Sequence, residues 1–261
     1  MLAPVAIGQQ LSMLKQNKFI KVYLDLVLTS TYVCSQLKDY DSGNVIQRER
    51  LDYEKISDAS LLLPKIKKIL EIINIDFYNV VEPKFIFDNN YYIFVPDSLY
   101  IKGKEKTFLK FNVGLESDDY ITTDSIEKLN IYNIYLPYVN INNYLIEKFK
   151  KLEFYHYNTV LINKIVSVNN SDSCHCFIEN ADLKILIIEN GEIFYFNSFS
   201  YKTSDDILYY TLLVINDKSF KNKNIPINIH AGKKIDEIKV KFNNFIKNIS
   251  VINNNNFAQV L

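Results

Sequence analysis

The stretch 182–216, DLKILIIENGEIFYFNSFSYKTSDDILYYTLLVIN, constrains the fold more than any other part of the chain. The Asn190-Gly191 pair between two apolar runs marks a tight hairpin, because both turn residues must tolerate positive φ. Thr203, Ser204, Asp205 and Asp206 then suit a helix N-terminus, where free N–H groups and the macrodipole favour negative charge. Residues 207–215 are apolar nearly all round, which predicts a helix covered on most sides. A hairpin and a buried helix need a sheet and a partner layer, and the remaining chain must supply them.

Taken in order, residues 19–28, 32–38 and 45–53 read as a three-stranded meander, with an Asp41-Ser42-Gly43-Asn44 turn before its last strand. A helix follows near 60–73, where Leu62, Ile66, Ile69 and Ile73 recur at helical spacing and Pro64 falls close to the first turn. Strands are expected at 80–87, 91–95, 109–114, 120–123, 131–139 and 153–157. Helices are expected from Asn140 to Leu152 and at 159–168, and a polar loop at 169–180. A strand at 225–229 and a helix at 234–248 complete the reading, with a frayed tail from Asn253. Meander, helix and strand thus recur twice, at about 20–87 and 182–229, with the second meander shorter. That regularity suggests a duplicated α/β protein with a cleft between lobes.

Composition narrows the function classes. Hydrophobic residues make up 48% of the 261, ample for a core. The 30 basic residues balance the 30 acidic ones, and a nucleic-acid binder normally carries a basic excess. Three cysteines do not make a disulfide framework. The N-terminal residues lack a secretory leader, and no run approaches the roughly 18 apolar residues of a membrane helix. These features predict a cytoplasmic protein with no nucleic-acid partner and no membrane insertion; oligomeric state stays open.

Several pieces together resemble one family: YYIFVPDSLY (91–100), FNVGLESDDYI (111–121), IYNIYLPYVNINNYLIEKFKKLEFYHYNTVLI (131–162), the opening stretch, and IPINIHAG (225–232). In this order they resemble the bacterial proteins grouped as domain of unknown function 3822, over about residues 20–252. The resemblance implies an α/β, two-lobed actin-like ATPase fold with duplicated ribonuclease-H-like lobes and mixed sheets, closest to the pilus-assembly branch. It implies no activity, substrate or partner. The expected division is an irregular extension at 1–18, a first lobe at 19–107, an inserted segment at 108–180, a second lobe at 181–252 and a tail at 253–261.

An actin-like ATPase holds nucleotide phosphates on one hairpin turn per lobe, each with a glycine for close backbone approach and an aspartate toward the metal. The first turn falls at Leu28-Thr29-Ser30-Thr31, which has hydroxyls and no glycine; Asp25 lies upstream, inside the strand. The second is assigned to Ile188-Glu189-Asn190-Gly191-Glu192, where two glutamates would repel phosphate. His230-Ala231-Gly232, before the last helix, matches part of an adenosine-side turn, although glycine also serves an ordinary strand-to-helix connection. Ser30, Asn190, Gly191, His230 and Gly232 are therefore the weak cleft candidates, and no catalytic residue is assigned.

Cys174-His175-Cys176 lacks the second ligand pair of a structural zinc site and is expected to bind no metal. His156 reads as an ordinary hydrogen-bonded histidine. Asp205-Asp206 reads as a helix cap and Asp118-Asp119 as a loop. Lys233, Lys234, Lys239, Lys241 and Lys247 read as a solvated helix face. The expectation is a non-catalytic interaction or scaffold module with an unidentified protein partner and no cofactor. The alternative is a nucleotide-binding protein or weak ATPase using ATP with Mg²⁺ in an altered cleft.

Overall fold

A computed structural model describes residues 20–168, 171–217, 225–232, 235–246 and 248–253. The expected extension at 1–18, the tail beyond Asn253, and Lys233, Lys234 and Lys247 lie outside the described residues. The chain falls into two compact units. Of the described residues, one holds 20–125 and 131–160, and the other holds 126–130 and those from 161 to 253. The segment 108–180, expected as an insertion between lobes, is thus divided between them.

The first unit is built on the sheet β3-β2-β1-β4-β8. Its meander is β1 (Lys21–Leu28), β2 (Tyr32–Asp39) and β3 (Val45–Asp52), paired antiparallel. β4 (Asn79–Phe87) and β8 (Glu153–His156) extend it in parallel. Helix α1 (Leu63–Ile72), with Pro64 in its first turn, joins β3 to β4. Ile66, Ile69 and Leu70 of α1 pack on Val22, Leu24, Leu26 and Leu28 of β1 and on Phe85 and Phe87 of β4. Each fully buried side chain of this kind stabilises by about 1.5–3 kcal/mol relative to exposure.

Between β4 and β8 the chain forms a smaller sheet, β5-β7-β6, from β5 (Tyr92–Pro96), β6 (Thr122–Ile126) and β7 (Ile131–Tyr135). Residues 109–114, expected as a strand, instead end a short helix α2 (Glu105–Leu109) and its following turns. Leu109 and Val113 are buried while Phe111 between them is 79% exposed, which fits helical turns and not a strand, where all three would share one face. Helix α3 (Val139–Phe149) returns Ile141 and Leu145 to the main core. Helix α4 (Tyr157–Val168) follows β8.

The second unit repeats the same sheet as β11-β10-β9-β12-β13. β9 (Ser173–Glu179), β10 (Asp182–Glu189) and β11 (Glu192–Ser200) form the antiparallel meander. β12 (Ile227–Ala231) and β13 (Ile249–Asn253) join in parallel. The second meander is therefore as complete as the first, and the loop expected at 169–180 contains the sheet's central strand. β9 is buried on both faces, so it lacks the apolar–polar alternation that betrays a half-exposed strand. Helix α5 (Ser204–Ile215) joins β11 to β12, as α1 joins β3 to β4. Helix α6 (Ile235–Asn243) is shorter than expected, because Ile249 opens β13 beside β12 instead of continuing the helix.

The start of α5 agrees with its sequence. The Thr203 side chain accepts from the Asp206 N–H, and the Asp206 carboxylate accepts from the Thr203 N–H at 2.9 Å, a reciprocal capping box. Asp205 accepts from Lys241 Nζ of α6 at 2.7 Å. Ile207, Leu208 and Val214 enter a core with Ile185, Ile187, Ile229, Ile238 and Phe242. The opposite face departs from expectation: Tyr209 is 61% and Leu213 54% exposed. Among the described residues, no helix is long and apolar enough to cross a membrane.

Candidate functional site

The first candidate turn joins β1 to β2 at the expected place. Thr29 Oγ1 accepts from the N–H groups of both Thr31 and Tyr32, each at 3.1 Å. The Thr29 N–H donates to the Tyr32 carbonyl at 2.9 Å. Tyr53 ties the turn from outside, its hydroxyl donating to the Thr29 carbonyl and its N–H to the Thr31 carbonyl, both at 2.9 Å. Burial pushes the Tyr53 phenol well up, so it stays a neutral donor. The half-buried Ser30 fixes the adjoining chain through its carbonyl, which accepts from the Ile56 N–H at 2.8 Å. Two backbone amides of the turn are thus satisfied by a threonine side chain of the same turn. Asp25, inside β1, accepts from Lys38 Nζ at 2.9 Å.

The second turn requires a correction of position. The Asn190-Gly191 hairpin is real, with φ of 54° and 77°, but it joins β10 to β11, the second and third strands of the repeat. The counterpart of the Thr29–Thr31 turn joins the first and second strands, β9 and β10. It consists of Asn180 and Ala181, flanked by the paired Glu179 and Asp182. Like the first turn it has no glycine, and two carboxylates flank it. Sequence reasoning missed it because β9 went unseen; Asn180 between two apolar runs was the available signal. At the exposed Asn190, the backbone N–H donates to Asp172 Oδ1 at 2.8 Å, so this turn too is capped by an internal oxygen.

His230 belongs to β12, and Gly232 lies between that strand and α6. His230 is buried, stacked on Phe177 with centroids 4.5 Å apart, and its Nε2 lies 2.9 Å from His175 Nδ1. His175 Nε2 is 3.1 Å from Ser173 Oγ, which donates to the Ser171 carbonyl. Those partners orient the whole chain: His230 Nε2–H donates to His175 Nδ1, and His175 Nε2–H donates to Ser173. Both rings are neutral in this arrangement. Burial pushes His175 down to about 4. Burial, with His175 and Lys164 adding positive charge nearby, pushes His230 down to about 3.

The two cysteines beside His175 point the other way. Alternation along β9 sends Cys174 and Cys176 into the helix-facing core, where Cys176 Sγ lies 3.7 Å from Thr211 Oγ1. A Cys-His-Cys triplet in a strand therefore cannot converge on one ion. Among the described residues, no three His, Cys, Asp or Glu side chains gather as a metal site requires.

The first unit holds a buried polar cluster with no signal in the sequence. Asp124 on β6 accepts from the Tyr135 hydroxyl at 2.6 Å and from the His156 N–H at 2.9 Å. Burial raises its carboxyl, while hydrogen bonds from Tyr135, His156 and Thr159 lower it. His156 Nδ1 accepts from the Asn158 N–H and its Nε2 donates to the Asn89 carbonyl, both at 3.2 Å. His156 is thus an ordinary hydrogen-bonded histidine, and Asp124 is a buried acceptor for its backbone N–H just before α4.

Residues 16–249 match the family described as "Protein of unknown function (DUF3822)". The chain belongs to that family. This DUF3822 protein is similar to a Bacteroides thetaiotaomicron protein with an actin-like ATPase fold and unknown function, at 19% identity and a TM-score of 0.72, over 95% of each chain. It is similar to the ethanolamine utilization protein EutJ from Carboxydothermus hydrogenoformans, at 9% identity and a TM-score of 0.55, over 98% of this chain and 96% of that one. It also matches the PilM–PilN type IV pilus biogenesis complex, at 7% identity and a TM-score of 0.53, over 88% of each chain. No curated protein matches. The DUF3822 chain has the two-lobed actin-like ATPase fold.

Proposed function

We propose that this DUF3822 protein is a cytoplasmic, actin-like interaction module that holds a protein partner and does not hydrolyse nucleotide. The observation that carries the reading is the occupancy of the first turn, where Thr29 Oγ1 already takes the Thr31 and Tyr32 amides. A phosphate would have to displace that acceptor, and each neutral internal hydrogen bond contributes about 0.5–1.5 kcal/mol. In the second repeat, Glu179 and Asp182 add negative charge beside the equivalent turn, against an anionic ligand. The likeness to the PilM–PilN assembly supports a protein partner over a small-molecule substrate. Thermal-shift measurements with ATP, ADP and Mg²⁺ test the reading, because a ligand that binds the native state raises the melting temperature with its concentration. No shift is expected; a shift that grows with ATP–Mg²⁺ would overturn the proposal in favour of a nucleotide-binding protein.

A further inference from the structure

The Asn190-Gly191 hairpin has no assigned role once the phosphate position passes to Asn180-Ala181, and its chemistry can be judged against matched asparagines. Asn74, Asn130, Asn180 and Asn190 all take positive φ, at 51°, 51°, 21° and 54°, and all four are exposed. They differ in the residue that follows. Ile75 and Ile131 are β-branched and crowd the backbone nitrogen beside them, and Ala181 carries a methyl group. Gly191 carries no side chain, and a Cβ added there would meet no atom within 4 Å. The chain has no second Asn-Gly pair. Among the described residues, no acceptor takes the Gly191 N–H, whereas the Asn190 N–H is fixed on Asp172. Asn197, before the small Ser198, is held differently. It lies in the β10–β11 ladder opposite Ile185, and the Ser198 N–H already donates to Asn197 Oδ1.

We propose that Asn190 is a modification site, where deamidation through a cyclic imide converts the turn residue to aspartate and isoaspartate. The Gly191 nitrogen, losing its proton to base, attacks Asn190 Cγ. The new N–Cγ bond forms as the Cγ–Nδ2 bond breaks, and Nδ2 leaves as ammonia with a proton taken from solvent. Water then opens the imide. Addition at Cγ gives aspartate, and addition at the α-carbonyl gives isoaspartate, which routes the backbone through the side-chain carbons of residue 190. Glycine lets the tip sample the dihedrals that closure requires at little cost. Both products place a new carboxylate beside Asp172, Glu189 and Glu192. Isoaspartate also adds a backbone methylene to a two-residue turn whose geometry sets the β10–β11 register.

Incubation of the full chain at neutral and at mildly alkaline pH, followed by peptide mapping and isoaspartyl-methyltransferase labelling, tests the site. Asn190 should convert at least about tenfold faster than Asn74, Asn130, Asn180 or Asn197, a barrier difference of about 1.4 kcal/mol. Isoaspartate and aspartate should both form, and the rate should rise with pH. Asn190→Gly, which keeps two turn residues that tolerate positive φ, should abolish the conversion in this segment. Aged protein should exchange the amide hydrogens of residues 188–193 faster than an Asn190→Asp variant, which has the charge without the extra methylene. No conversion at Asn190, faster conversion at another asparagine, a pH-independent rate, or aspartate without isoaspartate would each overturn the proposal. Exchange equal to that of Asn190→Asp would overturn its effect on register.

Discussion

Acid should loosen the second unit by an amount set by the His175–His230 pair. An unfolded imidazole titrates near 6.5, whereas in the folded chain His175 is pushed down to about 4 and His230 to about 3. Between those values the unfolded chain takes up protons that the folded chain refuses. The stability contribution is therefore complete above about pH 6.5 and is lost as pH falls. From pH 7 to about pH 5, each histidine costs about 2 kcal/mol at roughly 1.36 kcal/mol per pH unit, so about 4 kcal/mol for the pair. Against a typical total of about 5–15 kcal/mol, that loss is large. The assay is urea unfolding followed by circular dichroism across this range, comparing wild type with a His175→Leu/His230→Leu double variant. The comparison of slopes cancels other titrating groups and any fixed offset from the substitutions. Wild type should lose about 4 kcal/mol more than the variant. Parallel pH dependences would refute the picture of a neutral, buried, hydrogen-bonded pair.

Other substitutions probe the two cores. Leu208→Asp places a charge in the cluster under α5 and should cost several kcal/mol; an unchanged urea midpoint would mean that α5 does not bury this residue. Tyr135→Phe removes the hydroxyl that donates to Asp124 Oδ1 and should cost about 1–3 kcal/mol. It should also raise the Asp124 carboxyl further, since the Tyr135 hydrogen bond holds it down; NMR titration showing no rise would contradict this.

Legibility of the fold followed side-chain patterning. The first meander, α1 with its early Pro64, and the Thr203 cap of α5 carry local signals that survive into the structure. β9 does not, because Ser173, Cys174, His175 and Cys176 are all buried in a strand covered on both faces. Missing that strand moved the second candidate turn from Asn180-Ala181 to Asn190-Gly191; flanking acids recur at the corrected position, whereas the glycine does not. The Asp124 cluster was invisible for a different reason. Its members come from β6, β7, β8 and α4, and only tertiary contact brings them together. The exposed stripe on α5 was hidden by its own apolarity, which reads as burial until the fold shows which face the core uses.

Isothermal titration of the full chain with ATP–Mg²⁺ bears most directly on the central claim that the turns are satisfied internally. Phosphate binding in this architecture needs free backbone amides and a metal-holding carboxylate. At Thr29–Thr31 a side chain holds two of those amides, and at Asn180-Ala181 two carboxylates flank the turn. The account predicts no dissociation constant tighter than high micromolar, on the order of 5 kcal/mol of binding free energy at most. A low-micromolar constant that is abolished by Gly232→Trp would contradict it.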